Sequence, residues 1–139
     1  MSSSGKGQSV VKCFLSFPDN LKNHSREVLE KRAIESMREC IKFADDHHVR
    51  LLMEPLFKGD NSLINRADQA VELYCHALNM DVDTFLAGNH NYGLLLDLFH
   101  MHHEEKNLLD SIRKYLPITH HIHVADHPQI GRASCRERV

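Results

Sequence analysis

The run Gly93-Leu94-Leu95-Leu96-Asp97-Leu98-Phe99-His100-Met101 constrains the fold more than any other stretch of this chain. Gly93 reads as a turn residue, three leucines follow, then a carboxylate, and an imidazole comes three positions later. An apolar run of this length fits a strand buried on both faces, and a charge at its C-terminal end serves something other than packing. Two further segments repeat the design. Val49-Arg50-Leu51-Leu52-Met53-Glu54-Pro55 closes a short apolar run with Glu54, and Pro55 stops the strand ladder just after it. His121-Ile122-His123-Val124-Ala125-Asp126 sets imidazoles at alternate positions, which share one face of a strand. Glu, Asp and His thus stand at the ends of three successive strand-like runs.

Between these runs the apolar period changes to that of a helix. Ser25 is an N-cap residue, and Leu29, Ala33, Met37, Ile41 and Ala44 recur at helical spacing behind it. Ala67, Ala70, Val71, Tyr74 and Leu78 mark a second helix; Leu108, Leu109, Ile112, Tyr115 and Leu116 mark a third, ended by Pro117. A fourth strand is expected over Val10 to Leu15, closed by the turn signal Phe17-Pro18-Asp19-Asn20, and the Ser/Gly-rich start Met1 to Gln8 is expected to be flexible. Leu56 to Asn65 reads as a loop with Gly59 and Asn61 as turn residues. Met80 to Asn91 reads as irregular with a turn at Gly88-Asn89, and Met101 to Asn107 as a polar connection.

Strands alternating with helices are the grammar of an α/β protein with parallel strands. The separations from Glu54 to Asp97 and from Asp97 to His123 bracket the ~31 residues per unit of a barrel in which about 250 residues form eight βα units. In such barrels the reacting groups lie at the C-terminal strand ends, where all three of these residues fall. A doubly wound sheet would need a crevice at a switch point, and no Gly-rich phosphate loop marks one. The expectation is an α/β fold: a partial (β/α)8 TIM barrel of about four βα units with parallel strands.

Composition narrows the function. With 139 residues, 42% hydrophobic and 26% charged, the chain has the make-up of a soluble globular domain. It has no apolar run near the ~18 residues that span a bilayer, and Met1 to Gln8 lacks the apolar centre of a signal peptide, so a cytoplasmic protein without a membrane partner is expected. The four cysteines show neither C-x-x-C pairing nor framework spacing, and are expected as reduced, mostly buried thiols. A formal net charge of -2 gives no electrostatic footprint for nucleic acid.

Ile130 to Val139 has no periodicity, and it matches, residue for residue, one reading frame of a widely used sequencing adapter; Gln129 is compatible with the preceding codon. Residues 1–128 are therefore read as partial barrel and 129–139 as a foreign tail, excluded from fold reasoning. Without that tail's three arginines and one glutamate the chain is still more acidic.

Glu, Asp and His from three strand ends offer two carboxylates and one imidazole, an oxygen-rich set that suits Mn²⁺, Mg²⁺ or Co²⁺ better than structural zinc. A single Glu or His near a strand end is ordinarily a surface or satisfied core residue; three at equivalent ends shift that balance.

At these residues the chain resembles the xylose-isomerase-like TIM barrels, which include the ketose 3-epimerases, hydroxypyruvate isomerase and related sugar phosphate isomerases/epimerases. Glu54-Pro55-Leu56 with Asn61-Ser62-Leu63-Ile64-Asn65 is similar to the pattern after that family's fifth strand. Leu95-Leu96-Asp97-Leu98-Phe99-His100-Met101 with Glu104-Glu105 is similar to the sixth, and His121-Ile122-His123-Val124-Ala125-Asp126 to the seventh. The resemblance covers roughly Ser25 to Pro128 and implies strands four to seven of the barrel.

It implies Glu54, Asp97 and His123 as ligands of a divalent metal, Mn²⁺ first and Co²⁺ or Mg²⁺ next, with a fourth ligand on an eighth strand outside this chain. Glu54 is implied as the acid/base in proton transfer next to a carbonyl, and His100 and Asp60 as contacts to a small sugar or hydroxy-ketone. Phe57, Lys58 and Gly59 depart from the family's Asn-Arg-aromatic run, which bears on the sugar taken. Endonuclease IV-like cleavage of abasic DNA is the alternative on the same barrel and needs a basic groove; a non-catalytic sugar- or metal-binding relative is another. A piece of about four strands leaves two open edges, so Leu51, Leu52, Leu94, Leu95 and Leu96 are expected to be partly exposed and two copies to pair as a homo-oligomer.

Overall fold

The computed structural model describes residues 9–13, 15, 23–60 and 63–124. The start Met1 to Gln8, the Phe17 to Asn20 turn, Asn61 and Ser62, and the tail 129–139 lie outside the described residues. The elements run β1 (Val10–Cys13), α1 (Arg26–His47), β2 (Arg50–Met53), α2 (Ala67–Leu78), α3 (Val82–Ala87), β3 (Tyr92–Asp97), α4 (Leu98–Glu104), α5 (Leu108–Tyr115) and β4 (Thr119–His123), with 3₁₀ turns at Lys58–Asp60 and Leu116–Ile118. The four strands form one sheet in the order β1-β2-β3-β4, each pair parallel. This is the expected partial barrel.

Local chemistry explains the ends of each helix. Ser25 Oγ accepts from Val28 N to start α1, and His48, at φ 54°, turns the chain left-handed to end it. The stretch Met80 to Asn91 is not irregular throughout: Asp81 Oδ1 accepts from Thr84 N and starts the short helix α3. The polar connection after Met101 is also helical in its first part. Asp97 Oδ1 accepts from Phe99 N, so the carboxylate that ends β3 is the N-cap of α4.

One face of the sheet carries the main core. Leu51 and Met53 of β2 and Leu94 and Leu96 of β3 pack with Ala33, Met37 and Ile41 of α1 and with Ala70, Val71 and Tyr74 of α2. Side chains alternate, so Leu52 and Glu54, and likewise Leu95 and Asp97, face the other way. The expected partial exposure of the five leucines is not found: Leu51, Leu52, Leu94, Leu95 and Leu96 are all 3% exposed or less. Helices cover three of them. On the opposite face Lys12 stands beside Leu52 and His121 beside Leu95 in the ladder.

Gly93 is not a turn but lies inside β3, buried against the next strand. A Cβ there would stand 2.2 Å from Ile118 O and 2.7 Å from the His120 ring, so only glycine fits. At the same place the β3–β4 register shifts: Leu94 pairs with Thr119, but Leu95 pairs with His121. His120 is the extra residue. Without it Ile122 would stand opposite Asp97; with it His123 does, on the face that carries Glu54 and Asp97.

Candidate metal and acid/base site

Three neighbouring strands deliver their last residues to one point. Glu54 follows β2 directly, and its N–H still donates to Cys13 O at 2.9 Å, so the β1–β2 ladder fixes its backbone. Its carboxylate is buried at 2% exposure. Asp97 ends β3 and is tied to the first turn of α4, which removes the freedom of its χ1. His123 Nδ1 lies 3.6 Å from Glu54 Oε1 and 3.5 Å from Asp97 Oδ2. These lengths exceed a good hydrogen bond and describe groups that face a common space.

Each carboxylate is divided between a protein partner and that space. Asp97 gives Oδ1 to Phe99 N–H and turns Oδ2 to His123. Glu54 gives Oε2 to the Lys12 ammonium at 2.7 Å and turns Oε1 to His123. A buried carboxylate needs such a partner, since its desolvation is otherwise costly.

His100 also reaches the site. Ligand atoms of Glu54, Asp97 and His100 lie within 4.8 Å of one another. Its Nδ1 accepts from Phe57 N at 3.3 Å, so in the neutral ring the proton sits on Nε2, which is then a donor. Asp60 Oδ2 approaches the same Nδ1 at 3.9 Å. Asp60 is exposed on the 3₁₀ turn Lys58–Asp60, at the rim. Two imidazoles thus approach one carboxylate pair, His123 through Nδ1 and His100 with Nδ1 already engaged.

An aromatic wall borders these groups. Phe57 stacks on His100 with ring centroids 5.7 Å apart, and Phe99 meets Phe57 and His103 edge-on at 5.6 and 4.9 Å. Lys58 is held beside it by Glu104, whose Oε1 accepts from Lys58 N and whose Oε2 lies 3.4 Å from Nζ. On the far face of β1, burial first and then nearby Cys40 push the Cys13 thiol up to about 12, so Cys13 is no nucleophile at neutral pH.

The sequence reading named Glu54, Asp97, His100, His123 and Asp60 but passed over Lys12 and the Phe57–Phe99–His103 wall. Lys12 had a signal: it is in phase with the carboxylate across two adjacent strands, and a buried Glu54 demands a counter-charge. The wall had none, because Phe57 and His103 are brought together only by the loop after β2.

The donor set fits a divalent cation: one ligand atom each from Glu54, Asp97 and His100 lie within 4.8 Å of one another, and His123 Nδ1 stands 3.6 and 3.5 Å from oxygens of the same two carboxylates. The comparisons with known proteins agree with this architecture. Residues 6–138 match the family described as xylose isomerase-like TIM barrel. D-psicose 3-epimerase from Enterocloster bolteae is 30% identical over 104 residues, 75% of this chain and 31% of that protein. The chain thus spans under a third of the length of that relative. A crystal structure of D-psicose 3-epimerase in the presence of D-fructose superposes with a TM-score of 0.68 at 25% identity, over 85% of this chain and 38% of the other. A family 2 AP endonuclease from Brucella melitensis superposes with a TM-score of 0.66 at 21% identity, over 86% of this chain and 42% of that one, which speaks for the shared fold alone. A parallel sheet with Glu, Asp and His at successive strand ends and a family match over nearly its whole length place this chain in the xylose isomerase-like TIM barrel family.

Proposed function

We propose that this chain supplies strands four to seven of a divalent-metal-dependent isomerase or epimerase acting on a small ketose or hydroxy-ketone. The observation that carries the reading is the convergence of Glu54 Oε1, Asp97 Oδ2 and His123 Nδ1 at three adjacent strand ends. Glu54, Asp97 and His123 would hold the ion, Mn²⁺ before Co²⁺ or Mg²⁺. Bound there, it would polarise a carbonyl oxygen and acidify the neighbouring C–H.

The chain's own groups supply the rest. Glu54 takes the proton from the carbon next to the carbonyl; its backbone is pinned by the β1–β2 ladder, so its reach is fixed. His100 donates from Nε2 to a substrate hydroxyl, with its ring held by the Phe57 amide and by stacking on Phe57. The Phe57–Phe99 wall excludes water from one side of the site and offers an apolar surface to sugar C–H groups. Asp60 at the rim accepts from a more distant hydroxyl.

The test is solvent-deuterium incorporation at the carbon next to the carbonyl of D-psicose or D-fructose, by a complete barrel carrying this segment and loaded with Mn²⁺. Glu54→Gln is expected to lose exchange by a factor of about 10² to 10⁴ while still binding Mn²⁺, because the amide keeps a coordinating oxygen but takes no proton. Exchange by Glu54→Gln at the unsubstituted rate would show that another group is the base.

A further inference from the structure

Lys12 lies outside the ligand set, yet it makes the shortest charged contact in the site. Its Nζ is 2.7 Å from Glu54 Oε2, and it arrives there because β1 pairs with β2 in a register that sets Lys12 beside Leu52, two residues before Glu54 and on the same face. The two carboxylates of the site are treated alike by different means. Asp97 has its second oxygen claimed by the N-terminus of α4, and Glu54 has its second oxygen claimed by Lys12. Each is left with one oxygen turned to His123.

We infer that Lys12 is a positioning residue that restricts Glu54 to one-oxygen coordination and, by its charge, weakens the hold of the site on a divalent cation. The inference rests on the metal-site reading given above. Two physical consequences follow. Without the ammonium, both oxygens of Glu54 become free to approach an ion, and the carboxylate pair loses its internal counter-charge. Both changes strengthen cation binding, because a cation then meets a buried carboxylate whose charge the Lys12 ammonium no longer offsets. A merely structural lysine has the opposite signature: its removal loosens the strand end and weakens binding.

The full 139-residue chain is titrated with Mn²⁺ and the loss of the free-ion EPR signal is followed, for the unsubstituted chain, Lys12→Met and Lys12→Arg. Lys12→Met is expected to bind Mn²⁺ about tenfold tighter, or about 1.4 kcal/mol. Lys12→Arg keeps the charge and the contact to Oε2, and is expected to stay within about threefold of the unsubstituted chain. If Lys12→Met loses its helical circular dichroism, Lys12→Gln takes its place, with the same tightening expected. Equal or weaker binding by the folded neutral variant, beside measurable binding by the unsubstituted chain, overturns the role of Lys12 and leaves the metal site standing. Absence of Mn²⁺ binding in every variant overturns both.

Discussion

β2 and β4 each end in a group of the same site, yet they are built in opposite ways. β2 is buried from its second residue on: Leu51, Leu52 and Met53 are at most 3% exposed, and Glu54 after it is 2% exposed. β4 is half open. Thr119 and His120 are partly covered, His121 and Ile122 are exposed, and the His123 side chain is 41% exposed. The carboxylate side of the site is therefore part of the core, and the imidazole side is attached to it through one strand and a bulge. The difference separates two tasks: Glu54 is held by packing, ladder and ion pair together, whereas His123 is placed by its register and an edge-on contact with the His121 ring.

The largest consequence is for stability. Leu94→Ala removes a fully buried side chain from the face that α1 and α2 cover, and is expected to cost about 2 to 5 kcal/mol. Ile122→Ala on β4, where the side chain is exposed, is expected to cost about 1 kcal/mol or less. Urea denaturation of the two variants measures the contrast directly. Equal losses would mean that β4 is as much a part of the core as β3, and the division of tasks would fall.

A smaller effect sharpens the same comparison. The buried Tyr74 hydroxyl of α2 donates to Gly93 O at 3.0 Å and reaches Leu51 O at 3.3 Å, tying β2 to β3 from the helix side. Burial, the dominant cause, pushes its pKa well above the usual phenol value, so the group stays a neutral donor throughout the working range. Tyr74→Phe is expected to cost about 1 kcal/mol and to speed amide exchange along the β2–β3 ladder. Exchange at the amides of β4 should not change. Faster exchange across all four strands would show that β4 opens together with the core rather than apart from it.

The sequence disclosed the carboxylate side of this arrangement better than the imidazole side. Leu51 to Met53 and Leu94 to Leu96 are continuous apolar runs, and their termination by Glu54 and Asp97 is visible without any tertiary knowledge. The long helices were legible for a similar reason, since Ser25 and the spacing from Ala33 to Ala44 are local signals. The short helices α3 and α4 were not. Their caps, Asp81 and Asp97, look like turn or ligand residues, and the His-rich stretch around Met101 to His103 hides the single buried position of α4. The bulge at His120 was invisible, because nothing in Thr119-His120-His121-Ile122-His123 says which histidine is the extra one. The burial of Leu51, Leu52, Leu94, Leu95 and Leu96 was misjudged because the expectation weighed only the open edges of a four-strand piece, whereas all five lie on the two central strands, each flanked by a strand on both sides.

The smallest expected effect concerns that extra residue. His120 is half-buried over Gly93, and its pKa is lowered from the ordinary 6.5 by burial first and by the nearby Arg50 second. Between the lowered value and 6.5 the unfolded chain holds a proton on this ring that the folded chain does not. Stability supplied by the neutral ring is therefore fully present above about 6.5 and is lost as the pH falls through the window below it. The loss is modest because the ring keeps part of its contact with water. The chain carries many other ionisable side chains, so the informative quantity is a difference: the drop in Tm from pH 7.5 to 5.5 for the unsubstituted chain minus the drop for His120→Asn. A positive difference is expected, since the asparagine cannot take up the proton that favours unfolding. A difference of zero would mean that the bulge gives way to let the ring charge in water, and the imidazole side would then be looser than its register implies. A negative difference would reverse the sign of the linkage and remove His120 as the reason that β4 prefers the neutral range.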